Sequence, residues 1–141
     1  MSYIATQKAL EKTNSLVLCI STGARAASEL IKKCLQMADA IKVMSDGKIT
    51  YTNNADCITF NTGGRILSLP SGNPQALRGY TASAVLIDEC AFIENPSKVF
   101  AAISPTLTRN KEANLIITST PAGKNNLFYK LLNEANEDWY V

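Results

Sequence analysis

The stretch that most restricts how this chain can fold is Ala84-Val85-Leu86-Ile87-Asp88-Glu89-Cys90-Ala91-Phe92-Ile93. An unbroken Ala-Val-Leu-Ile run is the pattern of a strand buried on both faces, as in a parallel sheet. Asp88 and Glu89 fall where that strand ends. In open α/β sheets, ligands bind at the carboxyl ends of the strands, so the two acids arrive where such a fold does its chemistry. Phosphoryl transfer needs one acid to hold Mg²⁺ and often a second to orient the attacking water. Asp88 suits the first role and Glu89 the second. The same residues also fit a strand whose polar end simply meets solvent, because an apolar run followed by Asp-Glu is common.

Ser15–Ser21 and the run from Asn114 to about Ser119 are further buried strand candidates. Helical spacing is expected over Ser2–Lys12, with Ser2 as N-cap, and over a long segment after Thr22-Gly23 whose apolar side runs from Ala26 to Ile41. Lys32, Lys33 and Lys42 on that segment read as a solvated face. Ser45-Asp46-Gly47-Lys48 is a turn. Cys57–Asn61 and Arg65–Leu69, joined by Thr62-Gly63-Gly64, form a predicted hairpin. This glycine pair is not a phosphate loop, since no Lys-Ser/Thr follows it and the next element is a strand. Asn95-Pro96 opens a helix through Ile103, which Pro105 is expected to weaken or end. A last helix is predicted over about Asn125–Asn136, with Leu127, Phe128, Leu131 and Leu132 inward, and Glu137–Val141 reads as the start of another strand. Strands alternating with helices imply an α/β fold, a mainly parallel sheet flanked by helices and joined by right-handed crossovers. The hairpin adds an antiparallel edge.

Composition closes several routes. The chain has no histidine, which excludes Ser-His-Asp and Cys-His nucleophile systems, H-E-x-x-H metal sites and C₂H₂ fingers together. The chemistry left is that of carboxylates, hydroxyls, Lys, Arg, backbone amides and a metal ion. A net charge of +2 provides no basic field that by itself argues for nucleic acid. No apolar run approaches a membrane span, and the N-terminus has no signal-peptide core. Cys19, Cys34, Cys57 and Cys90 are widely spaced, as expected of reduced core thiols in a cytosolic protein. At 141 residues the chain has the size of one domain with a real core.

Three blocks then carry a resemblance. These are the loop ending Ala76-Leu77-Arg78-Gly79, the run into Asp88-Glu89-Cys90-Ala91-Phe92-Ile93, and Ile117-Thr118-Ser119-Thr120-Pro121-Ala122-Gly123. In order and spacing they resemble the ATPase domain of the large terminase subunit, the motor that drives DNA into the procapsids of tailed bacteriophages. Ala27-Ser28-Glu29-Leu30 after a strand ending in Ser echoes the same pattern. The resemblance implies a P-loop NTPase core of the ASCE/RecA-like type. It implies that Asp88 is the Walker B metal aspartate and Glu89 the glutamate that polarises the hydrolytic water. Ser119 and Thr120 match the coupling motif that senses the nucleotide. Arg78 matches the arginine proposed to complete a neighbouring subunit's ATP site. Two other readings stand beside these: Arg78 as a loop-anchoring salt bridge, and Ser119-Thr120 as capping of the Pro-Ala-Gly turn. Also implied are Mg²⁺ and ATP as cofactors, and as partners other terminase subunits in a ring on the portal, the small terminase subunit, the portal protein and double-stranded DNA. The resemblance likewise implies no membrane partner and a setting in the cytoplasm of a bacterial host.

The sequence departs from the family in one respect. A P-loop ATPase grips phosphates on a G-x-x-x-x-G-K-[ST] loop, and none of the 141 residues form one. Gly23-Ala24-Arg25 lacks the Lys-Ser/Thr, and Gly123-Lys124-Asn125 lacks the glycine-rich lead and the hydroxyl. The expectation is a single partial ATPase domain over residues 1–141, without the phosphate-binding strand and loop and without a nuclease domain. Such a domain would leave strand edges unpaired and be inactive alone. The competing expectation is a non-catalytic prophage remnant or interaction module that binds no ATP. A third is an unrelated α/β protein that binds Mg²⁺ through Asp88 and Glu89 alone.

Overall fold

The structure, a computed structural model, describes residues 1–133. The elements in chain order are α1 (Ser2–Glu11), β1 (Leu16–Ser21), α2 (Ala24–Met44), β2 (Tyr51–Asn53), β3 (Cys57–Phe60), β4 (Arg65–Pro70), β5 (Ala84–Ile87), α3 (Pro96–Arg109), β6 (Asn114–Ile117) and α4 (Leu127–Asn133). Short 3₁₀ turns at Pro74–Leu77 and Cys90–Phe92 flank β5. The six strands form one sheet in the order β2-β3-β4-β1-β5-β6. β1 pairs in parallel with both β4 and β5, and β5 in parallel with β6. The antiparallel part is confined to β3 and β2 at one end.

β1 and β5 are buried along their whole length, which is why both read as uninterrupted apolar runs. Their alternate side chains feed two cores. Val17, Cys19, Ala84 and Leu86 pack against Ala5, Ala9, Leu30, Ile31 and Cys34 of α1 and α2. Leu16, Leu18, Ile20, Val85 and Ile87 pack on the other face, with Val99, Ala102 and Ile103 of α3 and with Leu77. The result is a helix–sheet–helix sandwich in which β1, β5 and β6 end side by side.

The hairpin reading of Gly63-Gly64 holds, and both glycines are dictated by contact. Gly63 has φ +83°, and a Cβ on Gly64 would sit 1.9 Å from the Ala9 carbonyl oxygen. The carboxyl end of α1 therefore rests directly on the hairpin turn.

Several expectations are corrected. α3 does not stop at Pro105 but runs on to Arg109. Pro105 is exposed, and so is Ala101, whose carbonyl loses its partner. The freed carbonyl faces water, while Val99, Ala102, Ile103 and Thr106 hold the opposite side on the sheet. β2 has no apolar run and was not predicted; its residues are half-buried or exposed, and backbone pairing with β3 makes it a strand. α1 starts at Ser2 itself, with no side-chain cap. Ala26 and Leu132 are exposed, β6 stops at Ile117, and α4 begins at Leu127. The strand expected at Glu137–Val141 lies outside the described residues. β6 forms the other edge of the sheet and is at most half-buried.

Candidate functional site

Three parallel strands end side by side. The register aligns Ile20 with Ile87 and Ile87 with Ile117. It continues one step past the strands, where the Asp88 N–H donates to the Ile20 carbonyl at 2.8 Å and the Thr118 N–H to the Ile87 carbonyl at 2.9 Å. Ser21, Asp88 and Thr118 therefore form a row. Strand alternation puts all three on the face that carries Cys19, Leu86 and Ile116, the side of α1 and α2. The Thr118 hydroxyl donates to Asp88 Oδ1 at 2.9 Å. No hydrogen bond among the described residues reaches Oδ2. Ser21 is 1% exposed, and its hydroxyl has no partner among them.

Glu89 takes a different course. Its backbone is left-handed, φ 53° and ψ 47°, a conformation costing a residue of this type about 1 kcal/mol or more. The turn carries its carboxylate to the end of β6. There Oε2 accepts from the Thr120 N–H and the Thr120 hydroxyl, each at 2.9 Å. Ser119 Oγ lies 3.4 Å from that oxygen and 2.9 Å from the Thr120 carbonyl, so its single proton serves one of them at a time. It also accepts the Ala91 N–H at 3.0 Å. The Thr120 amide, then the Thr120 hydroxyl, hold the Glu89 carboxyl below the usual carboxylate range, against a smaller opposing effect of burial. Among the described residues no donor meets Oε1.

Arg78 stands apart. It follows the 3₁₀ turn Pro74–Leu77, is exposed, and makes no ion pair among the described residues. The fully buried Leu77 beside it anchors the loop, and no salt bridge of Arg78 does so. The four thiols are free, and burial raises Cys34 and Cys90 to about 11 each, as expected of core residues. No cluster of three or more His, Cys, Asp or Glu among the described residues could hold a metal. A cation at this edge would have Asp88, hydroxyls, waters and a ligand's own oxygens. That donor set fits Mg²⁺, which keeps several waters and takes one or two carboxylates plus substrate phosphates. A groove of about 220 Å³ between the start of α3 and α4 is lined by Pro96, Ser97, Asn125, Asn126, Leu127 and Lys130 and by none of these site residues.

Sequence reasoning named Asp88, Glu89, Ser119 and Thr120; the structure joins Glu89 to Ser119 and Thr120, while Asp88 pairs with Thr118 instead. That reasoning assigned no individual role to Thr118 or Ser21. The signal was available: counting by two from Ile116 and from Cys19 places both on the face of Asp88.

A mainly parallel sheet between helices, with an Asp-Glu pair at one strand end and hydroxyls at the next, has the architecture of the P-loop NTPase class. All 141 residues match the family model described as the N-terminal part of the T4likevirus-type terminase large subunit, and the chain belongs to that family. Solved structures agree on the fold. The ATPase domain of the large terminase of Thermus phage P74-26 superposes with TM-score 0.81 at 20% identity, covering 99% of this chain and 61% of that one. The large terminase of bacteriophage HK97 gives 0.73 at 12% identity, covering 94% and 28%. The large terminase of a thermophilic bacteriophage, in complex with ADP, gives 0.68 at 14%, covering 93% and 34%. The chain thus spans 61% or less of the length of these relatives. No helix among the described residues is long and apolar enough to cross a membrane.

Proposed function

We propose that this domain is part of an ATP-hydrolysing motor that moves double-stranded DNA into phage procapsids. Its setting is the host cytoplasm, and its partners are further large subunits in a ring on the portal, the small subunit and the portal protein. The observation that carries this reading is the tie between Glu89 Oε2 and Thr120. It joins the acid that would act on water to the neighbouring strand end that would sense the nucleotide. The ADP complex of the thermophilic phage relative supports nucleotide binding by a domain of this family.

In this reading Asp88, fixed by Thr118, is the carboxylate that faces Mg²⁺. Mg²⁺ held there would supply neutralisation of phosphate charge. Glu89 is held ionised through Oε2, which leaves Oε1 to accept a hydrogen bond from the attacking water and orient it. Ser119 and Thr120 register the γ-phosphate by what they release or retain of Oε2. Arg78, on an exposed loop with no partner among the described residues, would neutralise transition-state charge in a neighbouring subunit's site. The amide nest and lysine of a phosphate loop are absent from residues 1–141. The grip on the phosphates is therefore assigned to a segment outside them, and the 141-residue chain alone is expected to be inactive.

Mg²⁺-dependent ATP binding and turnover test this, on the chain alone and with a polypeptide carrying a strand and a G-x-x-x-x-G-K-[ST] loop. The expected result is turnover only in the completed protein, lost in Glu89→Gln. Turnover by the chain alone that Glu89→Gln abolishes would show a phosphate-binding element within it. Turnover of the completed protein that survives Glu89→Gln would remove Glu89 from the mechanism. The missing loop motif also favours a second reading, a non-catalytic interaction module. Failure to bind ATP even in the completed protein decides for that reading.

A further inference from the structure

A buried hydroxyl without a hydrogen-bond partner calls for a specific explanation, and among the described residues Ser21 Oγ is the one buried side-chain polar atom in that state. Ser21 is the last residue of β1, fully paired in the ladder, with its carbonyl accepting the Ser71 N–H at 2.8 Å. Its neighbour across the ladder is Asp88. On the other side of Asp88 is Thr118, whose hydroxyl already engages Oδ1. The strand ends thus present a carboxylate between two hydroxyls, all on one face.

We propose that Ser21 and Thr118 are positioning residues for a divalent cation at Asp88. This rests on the assignment of Asp88 to the metal made above. The two hydroxyls do different jobs. Thr118 occupies Oδ1 and fixes the carboxylate, so that Oδ2, which no described donor meets, is the oxygen offered to the cation. Ser21 offers its unused hydrogen bond to a cation-bound water on the β1 side. Mg²⁺ retains most of its waters when it binds through a single carboxylate, so a partner for one of those waters is what this site requires. Partners of this outer kind tune metal affinity by orienting the ligands that touch the metal.

Mn²⁺ alone, as a paramagnetic substitute for Mg²⁺, tests this on the 141-residue chain without nucleotide or turnover. Binding is read by electron paramagnetic resonance titration and by broadening of backbone amide signals. The expected result is selective broadening around Ser21, Asp88 and Thr118, lost in Asp88→Asn. Ser21→Ala and Thr118→Val should each weaken Mn²⁺ roughly tenfold, and Thr118→Ser should restore it. Ser21→Ala should also melt at a higher temperature than the parent, because it removes an unsatisfied buried hydroxyl. Weaker Mn²⁺ binding in a more stable protein cannot be a folding defect. Mn²⁺ binding unchanged in Ser21→Ala and Thr118→Val but lost in Asp88→Asn would overturn the roles of the hydroxyls and leave the metal aspartate standing. Binding unchanged in Asp88→Asn, or no selective broadening in the parent chain, would overturn both.

Discussion

Glu89 sits at a left-handed position where glycine, asparagine and aspartate are far commoner, and the donors that meet its carboxylate all lie on Ser119 or Thr120. The backbone strain and the side-chain latch therefore oppose each other at one residue. Replacing Thr120 by Val removes one hydroxyl donor and leaves the amide. We expect a loss of about 1 kcal/mol at neutral pH. Because the folded-state value of Glu89 lies below the ordinary 4.5, its contribution is complete above that value and fades as pH falls through the lower, folded one. Denaturant titrations of parent and Thr120→Val should accordingly differ at pH 7 and converge at about pH 2, well below the unfolded value. A difference of equal size at both pH values would show that the Thr120 hydroxyl stabilises something other than the carboxylate.

At the scale of elements, two predictions concern contacts that propensity rules do not see. Gly64→Ala drives a methyl into the Ala9 carbonyl, and overpacking of this kind costs about 1 to 3 kcal/mol. Urea denaturation should show that loss, with amide shifts spread through the end of α1 and the β3–β4 turn. Pro105→Ala should act in the opposite direction. It restores the hydrogen bond to the Ala101 carbonyl on an exposed face, where Pro is about 3 kcal/mol worse than Ala, less the roughly 0.5 to 1 kcal/mol by which proline restrains the unfolded chain. A gain of about 2 kcal/mol in denaturant is expected, and destabilisation would mean that a bend at Pro105 is required to seat Val99 and Ile103. These elements also show what sequence alone could reveal. β1 and β5 were legible because burial on both faces leaves no polar interruption. β2 was not, since three partly exposed residues become a strand only through β3. The acid pair was legible as a motif. Its division, with Asp88 turned to Thr118 and Glu89 to Thr120, depends on one left-handed residue that no periodicity reports.

At the scale of the whole molecule, the sheet is finished differently at its two ends. The β2 end is short and polar. At the β6 end, Asn114 and Thr118 direct their N–H groups toward β5, so by strand alternation Leu115 and Ile117 present theirs outward. Those two residues are also only half-buried. An apolar strand whose outward donors meet no described partner is a template for pairing. We therefore expect the isolated chain to associate as its concentration rises, measurable by sedimentation velocity. The completed protein, with an added strand on that edge, should not. A chain that stays monomeric at every attainable concentration would mean that the edge is guarded by another element.

The attachments of the two carboxylates to the segment that follows β6 have a mechanical corollary. Thr118 holds Asp88, and Thr120, two residues further along the same backbone, holds Glu89. The tethers are ganged on one rod. A displacement of the Thr118–Thr120 segment would bear on both acids at once. In the function proposed above, the hold on a cation and the aim at a water would thereby be geared to the position of one short segment.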